Sequence, residues 1–129
     1  MPRVQTKGEF YQPRAHGGAM QSFLPSTDFA TTIPATSGIA SPLYTSDGFA
    51  KITVAAQITQ AGSISVQRYV DPAGALPQGT PQSAALAANT AAVLNIADGL
   101  PFGSFTVTLN NSAGSAATVT AVQVLLQSV

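Results

Sequence analysis

The chain has 129 residues, no cysteine, and five basic residues balanced by five acidic ones, so that only 8 % of it is charged, against about 25 % for an average soluble protein. That length suits one domain with one core. The lack of cysteine excludes a disulfide framework, a thiolate metal centre and a cysteine nucleophile. The cancelled charge leaves no basic footprint for nucleic acid or anionic lipid, and no run approaches the ~20 apolar residues of a bilayer span.

From the N-terminus, MPRVQTKGEFYQPR is polar and basic, with no apolar run of the kind that forms a signal peptide, so synthesis in a cytosol-like compartment is expected. Residues 1–47 hold five of the nine prolines and show no sustained period of 2 or 3.6, which reads as a long, irregular, extended arm. The same segment carries Phe10, Tyr11, Phe23, Phe29 and Tyr44, five of the nine aromatics. Disordered linkers are poor in aromatics because they have nothing to bury them against. These five are therefore read as anchors that bind the arm to a partner surface. Arg3, Lys7 and Arg14, interleaved with Phe10 and Tyr11, suit acidic protein rims better than nucleic acid, and Gly17-Gly18 reads as a hinge.

Residues 48–129 read as a β-sandwich domain. Ile52, Val54, Ala56 and Ile58 alternate with Lys51, Thr53, Ala55 and Gln57, the period of a half-buried strand. Ala61-Gly62 marks a tight turn into a second strand, with Ile64, Val66 and Val70 on one face and Arg68 interrupting it, so that the strand either bulges there or leaves the core. Residues 71–81 are a turn-rich loop. Residues 83–97 are alanine-rich, yet Asn89-Thr90 breaks the run and Leu94 and Ile96 alternate with Asn95, which favours two short strands over a helix. A final hairpin is expected, with Phe105, Val107 and Leu109 facing Val122, Val124 and Leu126 across NNSAGS. Short strands between regular turn signals predict an all-β, antiparallel sandwich, jelly-roll-like, with a long irregular N-terminal arm. On this reading, deleting residues 1–40 leaves the sandwich folded.

Chemistry is sparse. His16, in PRAHGGA, has no carboxylate and nucleophile beside it in sequence, so it reads as solvated or capping. Asp47, Asp71 and Asp98 each precede Gly or Pro, which is turn chemistry without the ligand spacing of a calcium loop. The sequon Asn110-Asn111-Ser112 matters only for a secreted chain. No nucleotide, metalloprotease or hydrolase string occurs, so no catalytic residue, cofactor or metal is expected.

The runs SISVQRYVDPAGALPQGTP and GSFTVTLNNSAGSAATVTAVQVLLQ, within residues 49–129, resemble the small β-sandwich structural proteins of tailed-bacteriophage virions, above all capsid decoration (cement) proteins. The resemblance implies a non-enzymatic virion protein, made in the host cytoplasm and placed on the capsid surface. There it would bridge copies of the major capsid protein and cluster with itself, as a trimer first and a dimer next. It implies no membrane and no direct nucleic-acid contact. Tail, baseplate or fibre-associated sandwiches that bind a receptor or carbohydrate share the same texture and form the alternative.

Overall fold

The computed structural model describes residues 20–128. Ten strands follow in chain order: β1 Gln21–Leu24, β2 Thr32–Ile33, β3 Ser37–Ala40, β4 Tyr44–Thr45, β5 Lys51–Ile58, β6 Gly62–Tyr69, β7 Gln82–Leu86, β8 Ala92–Ile96, β9 Ser104–Asn111 and β10 Ala117–Gln127. A single 3-10 turn at Ser26–Asp28 separates β1 from β2.

The strands form two antiparallel sheets packed face to face. One has the order β1-β10-β5-β8, with β2 also pairing β10; the other has the order β3-β9-β6-β7, with β4 also pairing β9. β1 and β2 lie along opposite halves of β10, and β3 and β4 along opposite halves of β9, so each pair fills one edge position. Eight strand positions in two four-stranded sheets, with most connections crossing between sheets, make this a jelly-roll sandwich.

Alternation explains the core. β5 buries Ile52, Val54, Ala56 and Ile58, β6 buries Ile64 and Val66, and β9 buries Phe105, Val107 and Leu109. Val124 and Leu126 of β10 close the layer from the opposite sheet, with Val122 half-buried at its margin. Trimming Val107, which is fully buried, to alanine is expected to lower the unfolding free energy by about 1–3 kcal/mol through transfer and cavity terms. Chemical denaturation of Val107→Ala against the wild type checks this.

The alanine-rich stretch forms two strands, as its alternation indicates. β7 pairs β6 and β8 pairs β5, with Leu86, Leu94 and Ile96 turned inward. Asn89, at φ 58°, takes the left-handed turn between them. Ladder pairing and burial of the three aliphatic side chains outweigh alanine's helix preference of under about 1 kcal/mol per residue.

Three expectations need correction. Residues 20–47 are not irregular: they supply β1 to β4, they contribute Phe29 and Ile33 to the core, and no boundary between arm and sandwich falls at Asp47. Short strands broken by Pro25, Pro34 and Pro42 show no period in sequence, and proline is tolerated where they lie, at sheet edges. The last two strands do not pair as a hairpin, because β9 and β10 sit in opposite sheets and meet through their inward side chains. The Ala61-Gly62 turn likewise carries the chain across the sandwich. Gly62 is required there because a Cβ would lie 1.8 Å from the Asn110 carbonyl oxygen. Val70 lies beyond the end of β6 and is exposed, while Arg68 stays in register and is buried.

Candidate assembly surface

The strand register decides what the two broad faces display. Outward from the β1-β10-β5-β8 sheet point Phe23, Leu125, Thr53 and Asn95 in one row, and Gln123, Ala55 and Val93 in the next. Thr53 donates its hydroxyl to Asn95 Oδ1 at 2.7 Å. The other sheet turns outward Thr106, Thr108 and Asn110 from β9 against Gln67, Ser65 and Ser63 from β6, and Asn110 Nδ2 donates to both serine hydroxyls at 3.2 Å. Lys51 is the one charged residue on either described face. Such faces carry almost no charge and are poor at repelling a copy of themselves.

One end of the sandwich exposes four aliphatic side chains beside the turn carboxylates Asp47, Asp71 and Asp98. The β4–β5, β6–β7 and β8–β9 connections all emerge there, and Leu43, Val70, Leu76 and Leu100 are exposed on or beside them. Side-chain hydrogen bonds hold the loops at this end. The Asp71 carboxylate accepts from the Ala75 and Leu76 N–H groups at 2.8–3.0 Å, which holds it below the usual carboxylate range. Ser104 Oγ donates to the Asp71 carbonyl at 2.7 Å. At Asp47, φ 49° and a bond from Thr45 Oγ1 at 2.9 Å form the β4–β5 turn.

Arg68 is the polar centre of this end. Its guanidinium, 6 % exposed, makes a bidentate pair with Asp98 at 2.9 and 2.6 Å and lies 5.6 Å from the centre of the Phe102 ring. Asp98 also accepts from the Leu100 N–H at 3.1 Å, so the pair fixes the loop that displays Leu100. The hydrogen bonds from Arg68 bring the Asp98 pKa down to about 2, against the opposing effect of burial. Phe102 meets Phe105 edge-on at 5.9 Å, and Phe105 meets Tyr44 at 5.2 Å. Tyr44 donates its hydroxyl to Asp28 at 2.8 Å, and burial with that acceptor pushes its pKa up. The line from Arg68 to Asp28 clasps the two sheets together. Sequence reasoning placed Arg68 in a strand, interrupting its apolar face, and Asp98 in a turn; their 30-residue separation carried no signal of the pair.

The five anchor aromatics fare differently. Phe10 and Tyr11 lie outside the described residues, as do Arg3, Lys7, Arg14, His16 and Gly17-Gly18. Phe29 is buried in the chain's own core and Tyr44 is packed against it, so neither is offered to a partner. Phe23 is 65 % exposed on the outer face beside Leu125, the one described anchor that points to solvent. Among the described residues, no group of three His, Cys, Asp or Glu side chains could hold a metal ion, and no helix is long and apolar enough to cross a membrane.

A groove of about 310 Å³ opens on the edge of the first sheet, between the 26–31 segment and the bulged part of β10, with Phe29, Thr31, Val119 and Val122 among its lining. Pairing along β10 skips register between Val119 and Ala121, leaving Thr120 and Ala121 both exposed. No family model, curated protein or solved structure matches the chain. Its class rests on fold and surface alone: an antiparallel jelly-roll β-sandwich with two nearly uncharged faces and a loop end that exposes Leu43, Val70, Leu76 and Leu100.

Proposed function

We propose that this chain is a non-enzymatic structural protein of a phage virion, one that decorates and reinforces a capsid by surface contact with the major capsid protein and with copies of itself. The observation that carries the reading is the pair of sheet faces bearing a single charge, Lys51, joined to a loop end that exposes Leu43, Val70, Leu76 and Leu100. Exposed aliphatic residues on a rigid rim, beside faces that do not repel one another, suit a surface that is covered in use. Jelly rolls serve in viral shells as well as in lectins, which is support by analogy of fold. Many weak, identical joints across a lattice add up through avidity.

Co-sedimentation with undecorated capsids tests the proposal. The wild-type chain is expected to pellet with the shells, and a Leu76→Asp, Leu100→Asp double variant to lose about tenfold or more in affinity, as truncated anchors do. Wild-type protein left in the supernatant overturns the capsid reading. Binding instead to isolated tails or to host-surface glycans would assign the chain to the tail, baseplate or fibre.

A further inference from the structure

The groove on the edge of the first sheet has a shape and position that the fold does not itself require. β1 covers β10 only over Val124–Gln127, and β2 covers it only over Ala117–Thr118. Between them the chain detours through Pro25–Thr31, including the 3-10 turn, and Thr120–Gln123 of β10 have no strand on that side. The detour leaves the groove lined by Phe29, Ala30, Thr31, Val119, Ala121 and Val122, with no charged residue among its lining. A pocket of about 310 Å³ with mixed apolar and hydroxyl walls suits an aromatic side chain that carries a polar tip.

The direction of the chain suggests what fills it. At Met20 the backbone is held to Ser128 by two hydrogen bonds, Met20 N–H to Ser128 Oγ at 2.9 Å and Ser128 N–H to the Met20 carbonyl at 3.0 Å. β1 runs from there toward the groove, so Met20 lies at the end of the sheet far from the groove. That groove lies about seven strand residues back, or ~23 Å. Tyr11 is nine residues upstream of Met20 and reaches at most ~30 Å. Returning to its own groove would consume about three quarters of that reach and demand a reversal of chain direction after Tyr11, which favours the groove of another copy. Phe10 and Tyr11 are the only aromatic residues upstream of Met20.

We infer that the groove between the 26–31 segment and the β10 bulge receives the Phe10–Tyr11 segment of a second copy of this chain. The ring seats over Phe29, and the unpaired edge of β10 faces the segment's polar groups. Each copy then gives one segment and accepts another, which builds closed rings or a reciprocal pair. This deepens the assembly reading, but its test involves no capsid, so the two fail separately.

The absence of cysteine makes the test clean. Full-length Gln12→Cys and full-length Ala121→Cys chains are mixed under mild oxidation, with Ser83→Cys, on the outer side of the other sheet, as the control partner. Heterodimer yield with Ala121→Cys is expected to exceed that with Ser83→Cys by about tenfold, and to fall about as much when Phe10→Ala and Tyr11→Ala are added to the Gln12→Cys chain. Equal yields at the two positions, or no dependence on the aromatics, overturn the inference. So does a chain carrying both cysteines that closes its disulfide within the monomer, since the groove would then hold its own segment.

Discussion

Deleting residues 1–40 is expected to abolish folding, whereas deleting residues 1–19 leaves the sandwich intact. The longer deletion removes β1, β2 and β3, which uncovers one whole side of β10 and most of one side of β9. It also removes Phe29 and Ile33, 6 % and 0 % exposed, each contributing about 1.5–3 kcal/mol of burial. Asn111 would lose further partners, because its buried side-chain amide donates to the Ile33 and Pro34 carbonyls at 3.2 Å. The combined loss rivals the ~5–15 kcal/mol by which a domain of this kind is stable. Circular dichroism and amide-proton dispersion in a nitrogen–proton correlation spectrum read the result. A residue 41–129 fragment with native dispersion would show that the edge strands are dispensable.

Asp98→Ala carries the next largest expected effect. It strands the Arg68 guanidinium, 6 % exposed, without its counter-charge. Breaking a fully buried pair in this way costs about 3–5 kcal/mol. The Asp98 side chain is 36 % exposed, and water reaching the site lowers the figure to about 2–3 kcal/mol. Replacing both partners, as Arg68→Leu with Asp98→Leu, is expected to recover much of the loss, because no unpaired charge then remains. Urea denaturation of the single and double variants separates the two cases. A double variant less stable than Asp98→Ala would show that the pair contributes more than mutual neutralisation.

The same pair sets an acid dependence. The folded-state pKa of Asp98, about 2, lies below the ~3.9 of an unperturbed aspartate. Ionised Asp98 therefore favours the folded state above about pH 4, and that contribution fades as pH falls toward 2, where the carboxyl is protonated whether the chain is folded or not. The wild type is expected to lose stability across this window more steeply than the double leucine variant.

Strand-forming stretches of β5 to β10 were legible in the residues because each of those strands is long enough, or alternates cleanly enough, to show a period of 2. Ile52, Val54, Ala56 and Ile58 display it without help from the rest of the chain, and so do Phe105, Val107 and Leu109. The all-β class and the inward sides of the long strands follow from that periodicity, since the pleat sends successive side chains to opposite faces. Turn residues such as Asp71 and Asp98 were legible for a similar reason: their short carboxylates bond backbone N–H groups two to five residues on.

Partnership between distant strands lies beyond any local pattern. Alternation shows that Phe105 and Val124 are buried, but not whether they lie in one sheet or in two, because an inward side chain looks the same in a hairpin and across a sandwich. Strands of two to four residues, such as Thr32–Ile33 and Tyr44–Thr45, exist only because β9 and β10 offer open edges for them to pair with. The tertiary structure alone therefore turned residues 20–47 from an arm into the edges of both sheets, and Phe29 from an anchor for a partner into core. It also brought Arg68 to Asp98 across 30 residues. Burial with a bidentate counter-charge lets an arginine sit where the alternation of β6 calls for an aliphatic side chain, and the sequence by itself cannot show that such a partner arrives.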